Sequence, residues 1–485
     1  MVEGRSAAHY AWVGRLRWQL LACVGVAALS MAWSAELEYD PWTWLVWARE
    51  SAHWDLVTSG GPAWKPLPVA VDALLVPLGS AAPTAWSFLV RVAGLVTLVA
   101  AGRLAALLAG PRALAAALAV VGTALSSQLL LGLVPLGYSE PVLAALLLFA
   151  GEAVVRRRPT TAVGLLLAAS LVRPETWPLL ILAAAWLLRR RRSAWPAVVA
   201  GPVAGLVTGL VGLALAWYLP DYLSSGEFAR STRRAAIPTE GGALLGPHPA
   251  LTVVLQALRT PAPPWVTAFG ATVLALLARA WPPGRRRALA VIAAATTAWA
   301  LVVVGLVAAG GSSGDTRYLI GWTVGVPVVG AVGAAEALRA LVARFQRHRL
   351  PRPLAIGLTA CLAVGSAGAC VPRLQGLQHD LAGVRAHSNS YRALYATVRA
   401  VGGPSAVRAC GTGKSIGIGA LVGTEPHHVP VLAWKLDVHF NQVATHAVVP
   451  GTTFALSATP GPVPPPPPGP PTAAAPPWQA WRMCR

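Results

Sequence analysis

Carboxylates are scarce in this sequence, 18 among 485 residues. Five of them (Glu36, Glu38, Asp40, Glu50 and Asp55) crowd into one stretch that begins "ELEYDPWTW", just beyond the first long apolar run. Three further charged sets stand beside apolar segments: Lys65 in "GGPAWKPLP", Arg173 and Glu175 in "VRPETWP", and Asp315, Arg317 and Tyr318 in "GDTRYL". Charges held at membrane depth are expensive and mark functional sites by default. A carboxylate there can take a proton from an acceptor hydroxyl as general base. Arg and Lys at the same level can hold a phosphate diester and stabilise the charge on a departing phosphate. The set suits group transfer from a lipid phosphate, with the cations borne by the protein and no metal or other cofactor required. Each group also has a plainer reading. The acids can solvate a loop, Lys65 can snorkel to an interface, Arg173 and Glu175 can pair for packing, and Asp315 and Arg317 can form a solvated turn.

The elements that must position these groups are membrane helices. The chain is 55% hydrophobic and 12% charged, where a soluble domain is about one quarter charged. Runs of about twenty apolar residues, enough to span a bilayer, recur along most of it. The first run lacks a small-residue cleavage site and reads as a retained span. The net charge of +21 is almost all Arg, with Lys only at 65, 414 and 435. These Arg lie between apolar runs rather than on one domain, so they mark cytoplasmic loops and argue against nucleic-acid binding. The bias to Arg, Ala, Gly and Pro suggests a GC-rich bacterial genome.

Charge and run length predict spans at about 18–35, 83–109, 113–133, 140–155, 195–219, 262–280, 288–309, 318–343 and 354–372. The stretch 160–188 has Arg clusters at both ends, and it predicts a hairpin of two short helices with "VRPETWP" at its apex. In all, about eleven crossings or half-crossings are expected, with a cytoplasmic N-terminus. Segments 41–56 and 66–79 read as interfacial helices, with Trp42, Trp44, Trp47 and Trp54 at headgroup depth. An outer loop over 220–250 carries Arg230, Arg233 and Arg234, against the positive-inside trend.

Residues 373–485 read as a small extracytoplasmic α/β domain. A helix is expected in "LAGVRAHSNSYRALYATVRAVGG". Strands are expected in "SAVRACG", "HVPVLAWKLDVHF", "TTFALSA" and "WQAWRMCR". The Pro-rich stretch within 460–477 reads as an extended loop. Cys23, Cys361 and Cys370 read as small core residues, whereas Cys410 and Cys484 are a candidate disulfide outside the cell. "CGTGKSIGIG" lacks the first glycine of a phosphate-binding loop, since position 408 is Arg. His427, His428, His439 and His446 have no diagnostic metal-ligand spacing.

The motifs "EYDPWTW", "WKPLP", "LVRPETW" and "GDTRYL" together resemble the GT-C superfamily of membrane glycosyltransferases. The resemblance is nearest to the protein mannosyltransferases, the lipid A aminoarabinose transferases and the actinobacterial arabinofuranosyl and mannosyl transferases. It covers 1–372, the expected transmembrane domain, with its outer loop at 36–65. It implies an inverting transfer from a polyprenyl-phosphate sugar to an envelope glycan, lipid or protein acceptor, on the outer face of the plasma membrane. It implies an essential acid after the first span, best matched by Asp40 with Glu38 in reserve. Lys65, Arg173 and Arg317 become the candidates for the donor phosphate, supported by Glu175, Asp315 and Tyr318. Arg230, Arg233 and Arg234 are weaker phosphate candidates on a loop able to close over the cavity. Many members carry paired acids at the first site; here Pro41 follows Asp40, so the second acid is missing or displaced to Glu38. Two other classes stay open. A transporter or flippase of a lipid-linked intermediate should show internal repeats, and none is evident. A scaffold protein should tolerate loss of both Asp40 and Arg173.

Overall fold

A computed structural model describes residues 3–110, 113–126, 132–191, 196–238, 242–347, 352–411, 422–457 and 469–484. The chain is mainly helical. It begins with α1 (Glu3–Ser30), α2 (Tyr39–Ala52), α3 (Pro66–Leu75), α4 (Ala82–Ala109), α5 (Ala113–Ala124) and α6 (Glu140–Val155). There follow α7 (Pro159–Ser170), α8 (Trp177–Arg191), α9 (Pro196–Ser225), α10 (Arg230–Ala235), α11 (Pro249–Arg259) and α12 (Pro263–Leu277). Last come α13 (Pro283–Ala308), α14 (Ile320–Arg347), α15 (Arg352–Ala400), α16 (Gly403–Gly411) and α17 (Val429–Leu436). Proline occupies one of the first two positions of α3, α4, α6, α7, α11, α12 and α13. Its fixed φ suits a helix start, and its missing N–H costs nothing there.

Among the described residues, four helical segments are long and apolar enough to cross a membrane: Pro66–Ala109, Ala204–Ser225, Pro283–Ala308 and Thr316–Arg344. The α11–α12 pair, bent by 101°, is a fifth candidate. Leu16–Ser30, α5 and α7 are apolar but shorter. α14 is the central packing element, and glycine lets its neighbours close on it. A Cβ on Gly333 would meet Thr272 Oγ1 at 1.7 Å, and one on Gly325 would meet Thr296 Oγ1 at 2.3 Å. Small residues at helix interfaces serve membrane packing, where van der Waals contact drives association. The hairpin forms as expected: α7 and α8 flank a tight turn at Pro174–Thr176.

Several expectations need correction. Trp42, Trp44 and Trp47 are buried against protein rather than facing their surroundings, and of the four tryptophans only Trp54 is exposed. α2 is covered on one side by α3 and α4 and on another by α17. The expected loop over 220–250 contains α10, and α11 precedes the 262–280 span. "SAVRACG" and "HVPVLAWKLDVHF" are not strands. They contribute α16 and α17, the latter begun by Pro430 and ended by left-handed Asp437. Span eleven and the tail helix are one helix, α15, continuous through Pro372. The described helix after Gly110 ends at Ala124, short of the expected 133. The side chain of Cys361, the "CGTGKSIGIG" loop beyond Gly411 and most of the proline run lie outside the described residues. Cys23 is buried and Cys370 half-buried.

The C-terminal region forms a five-stranded sheet of order β2-β1-β3-β5-β4. β1 (Val422–Gly423) runs parallel to β2 (Val443–Ala444) and to β3 (Gly451–Leu456). β5 (Trp478–Met483) is antiparallel to β3 and to β4 (Ala473–Ala475). A disulfide joins Cys410 in α16 to Cys484 beyond β5. This region shares one apolar core with the other end of the chain: Trp42, Trp44 and Trp47 pack in the same cluster as Leu432, Phe454 and Trp478. A second cluster lies among α4, α5, α6, α12, α13 and α14.

Candidate active site

Four elements start at one pole of the bundle, and each begins beside a charged residue. Asp40 is in the first turn of α2, where the helix dipole favours an anion. Lys65 caps α3 in an extended conformation. Glu140 opens α6, and Arg173, also extended, precedes the hairpin turn. Each of the four is followed by proline, at positions 41, 66, 141 and 174. Proline suits the first helical turn, and it keeps Lys65 and Arg173 extended just outside it. Asp40 and Glu140 sit one step further in, within the first turn of their helices.

Backbone contacts bring these starts together. Leu67 N–H donates to Leu171 O at 3.0 Å, which docks the start of α3 on the hairpin apex. Glu38 N–H donates to Leu136 O at 3.0 Å, docking the approach to α2 on the turn before α6. That turn needs Gly137: its φ is +78°, and a Cβ would meet Leu37 Cδ2 at 2.4 Å. A fifth element, "GDTRYL", is a tight turn capped by Asp315, which accepts from Arg317 N–H at 3.0 Å. Trp299 Nε1 ties it to α13 through Tyr318 O at 2.8 Å.

The result is one buried network. Arg317 Nη1 donates to Asp40 Oδ2 at 2.7 Å, and its Nε lies 3.1 Å from Asp315 Oδ2. Arg173 donates through Nε to Glu140 Oε1 at 3.1 Å and through Nη1 to Glu175 Oε1 at 3.2 Å; its Nη2 also meets Glu140. Lys65 Nζ reaches Ser139 Oγ at 3.3 Å and Glu140 Oε1 at 3.4 Å. Aromatic faces cover the cations: Lys65 is 4.8 Å from the Trp44 ring, Arg173 4.2 Å from Tyr318, and Arg317 4.8 Å from Tyr138. Four carboxylates and three cations thus meet where α2, α3, α6, the hairpin and the turn before α14 converge. Buried carboxylate–guanidinium pairs of this kind are costly to break, because a lone charge is left behind.

Glu140 is the member that sequence reasoning missed. It is fully buried, it bridges Lys65 and Arg173, and among the described residues its Oε2 has no hydrogen-bond partner. In the sequence it marks only the start of the expected 140–155 span, within "YSEP". The signal was its likeness to "EYDP", an acid directly before a helix-opening proline.

The two candidate acids part company. Asp40 faces Arg317, whereas Glu38 caps α2 on Tyr39 N–H and turns toward α15, with His387 Nδ1 at 3.5 Å from its Oε2. The remaining acids of this stretch join α2 to the C-terminal region. Glu36 accepts from Tyr395 Oη at 2.8 Å. Glu50 accepts from the amides of Val57 at 3.1 Å and Phe440 at 2.7 Å. Burial pushes the Glu50 carboxyl above its usual range, and those two amides pull against the shift. Asp55 meets His439 Nε2 at 3.1 Å, and Arg49 meets Asp437 at 3.0 Å.

Arg230, Arg233 and Arg234 lie apart from the network. Arg230 is buried against Asp221, at 3.3 Å, and holds the loop after α2 through the carbonyls of Gly60, Gly61 and Pro62. Arg233 pairs with Glu227 at the surface. The four histidines disperse, and among the described residues no group of three His, Cys, Asp or Glu comes together.

A second feature adjoins the network. An apolar cavity of about 680 Å³ runs between α6, α8, α13 and α14. Trp299 and Gly321 line one end, beside the Arg317 turn, and Arg157 and Arg287 the other.

No family model and no curated protein matches the chain. Solved structures do. ArnT from Cupriavidus metallidurans, bound to undecaprenyl phosphate, aligns over 92% of this chain and 93% of its own, with a TM-score of 0.50 at 15% identity. The Archaeoglobus fulgidus oligosaccharyltransferase, tethered to an acceptor peptide, aligns over 88% of this chain and 63% of its own, with a TM-score of 0.46 at 13% identity. The second likeness is too slight to build on. The first spans nearly the whole of both molecules, and by it this polytopic membrane protein with its C-terminal α/β region has the GT-C fold.

Proposed function

We propose that this protein is an inverting glycosyltransferase that moves a sugar from a polyprenyl-phosphate donor to an acceptor on the extracytoplasmic face. The observation that carries the proposal is the convergence of Asp40, Lys65, Arg173 and Arg317 in one buried network beside a long apolar cavity. The donor's isoprenoid chain suits that cavity, which would deliver its phosphate to the level of Arg317. Lys65, Arg173 and Arg317 then hold the phosphate oxygens, Arg through its planar fork and Lys as a point charge. Asp40 takes the proton from the acceptor hydroxyl as its oxygen attacks the anomeric carbon from the face opposite the phosphate. The bond from that carbon to the phosphate oxygen breaks, and its electron pair leaves with the phosphate, stabilised by the same cations. Glu140 and Glu175 fix Arg173, and Asp315 fixes Arg317. The pole bearing α2 and the C-terminal region would face outward and the N-terminus the cytoplasm.

The test is transfer by purified protein from a panel of synthetic polyprenyl-phosphate sugars, wild type against Asp40→Asn. Transfer by the wild type and its loss in the variant support the mechanism. Equal rates, or no transfer from any donor, overturn it.

A further inference from the structure

A second cavity at the same pole, about 590 Å³, lies between the loop after α2, the helix α10 and the C-terminal region. Its volume is that of a site for a small ligand. Its charge is unlike that of the buried network. Three arginines line it, Arg230, Arg233 and Arg234, together with His446, and among the described lining residues none is Asp or Glu. In the network, by contrast, carboxylates occupy every cation.

The three arginines are not equivalent. Arg230 is part of the wall, its donors taken by Asp221 and by the carbonyls of the Gly60–Pro62 loop. Among the described residues Arg233 has Glu227 as its one side-chain partner, in a pair whose side chains are 62% and 51% exposed. Exposed pairs contribute little, so an incoming anion can take the guanidinium at small cost. Arg234 is exposed and within hydrogen-bonding reach of the Tyr39 hydroxyl. Two aromatic rings, Tyr39 and Phe440, give the cavity flat faces between its polar groups. Basic donors, a few polar groups and aromatic faces in one pocket suit a sugar that carries a negative charge.

Tyr39 also ties the cavity to the chemistry. It directly precedes Asp40 in α2, and successive helical residues point about 100° apart. Cavity and network therefore lie on two sides of the same helical turn. We infer that this cavity is the acceptor site, and that the acceptor is an anionic saccharide. Arg233 and Arg234 hold its phosphate or carboxylate while a hydroxyl passes Tyr39 to reach Asp40. The inference rests on the proposed transfer reaction and names the acceptor class for it.

The test measures equilibrium binding to the purified full-length protein with four probes: glucose 6-phosphate, glucuronic acid, glucose and undecaprenyl phosphate. At least one charged sugar should bind about 10-fold or more tighter than glucose. The two charged sugars together show whether phosphate or carboxylate is preferred. The double variant R233Q/R234Q should lose about 10-fold in charged-sugar affinity and leave undecaprenyl phosphate binding unchanged, and Lys65→Gln should do the reverse. Equal binding of glucose, charged-sugar binding that survives in R233Q/R234Q, or its loss in Lys65→Gln alone overturns the inference. If undecaprenyl phosphate fails to bind while charged sugars still depend on Arg233 and Arg234, the anion site stands and the transfer reaction falls.

Discussion

Asp40 and Glu50 lie on one helix, about 15 Å apart along its axis. Both are buried, 7% and 2% exposed. Asp40 meets the guanidinium of Arg317, a side chain on a turn 277 residues away. Glu50 meets two backbone amides, from Val57 and Phe440. A guanidinium can be shared with or ceded to a ligand phosphate, whereas amides fixed in the fold cannot move. The kind of donor, rather than the degree of burial, separates the acid suited to chemistry from the acid suited to assembly.

The largest test of that contrast is kinetic. Asp40→Asn should lower transfer by about 10²–10⁴-fold, the usual contribution of a general base, with a smaller loss of stability than Arg173→Ala because Arg317 keeps Asp315. A large loss of stability with unchanged specific activity would reverse the assignment. Next comes Arg173→Ala, which leaves Glu140 to Lys65 alone and removes the cation beside Glu175, and should cost about 3–5 kcal/mol in a denaturation series. Arg173→Lys should recover part of that stability but less of the activity, because a point charge replaces a fork. An Arg173→Ala protein of wild-type stability would show that Glu140 does not depend on it.

Glu50→Ala should act in the opposite sense from Asp40→Asn. Two buried amides lose their acceptor, at about 1–3 kcal/mol each. Hydrogen exchange should rise in α17 and at Phe440, while transfer per folded molecule holds. Unchanged exchange would mean that the apolar core alone seats the C-terminal region.

The effect that is smallest at neutral pH is the response to acid. His428 lies between the rings of Tyr391 and Trp478, and burial, aided by His427 and His387, lowers its pKa to about 3. An unfolded histidine titrates near 6.5. The unfolded chain therefore binds a proton that the folded one refuses. Stability from this residue is complete above about pH 6.5 and falls as pH drops toward 3, by up to about 1.4 kcal/mol per unit. His428→Phe should flatten that acid limb of the stability curve by the same slope. An unaltered limb would show that His428 gains its proton without unfolding.

Run length and proline were good guides to the helices, because a bilayer demands both a minimum length and internally satisfied backbone. They failed where that demand lapses. α11 has 11 residues, too few to register as a span. α16 and α17 are short apolar runs, whose periodicity cannot separate helix from strand. Pro404 and Pro430, each at a helix start, were the better evidence. The charged residues were conspicuous in an apolar chain, but their partners were not. Arg317 and Asp40 are joined by tertiary packing alone, and no local pattern pairs them. Nor could spacing reveal that Glu36, Glu38, Glu50 and Asp55 lean on the C-terminal region, since their partners lie some 340 to 390 positions away.

α15 has a consequence for how this chain can vary. Its 49 residues make a rod about 74 Å long. Its far half is keyed at fixed angles to the segment just before α2: Ser388 receives Glu36 N–H at 3.1 Å, His387 contacts Leu37 O at 3.0 Å, and Tyr395 donates to Glu36. One residue inserted between Pro372 and Val384 would rotate everything beyond it by about 100° and swing these keys out of their slots. Seven would bring the rotation back to within about 20°, but would lift the whole region by about 10 Å. The shaft thus sets both the height and the phase of the C-terminal region, and length changes there should be rarer than substitutions.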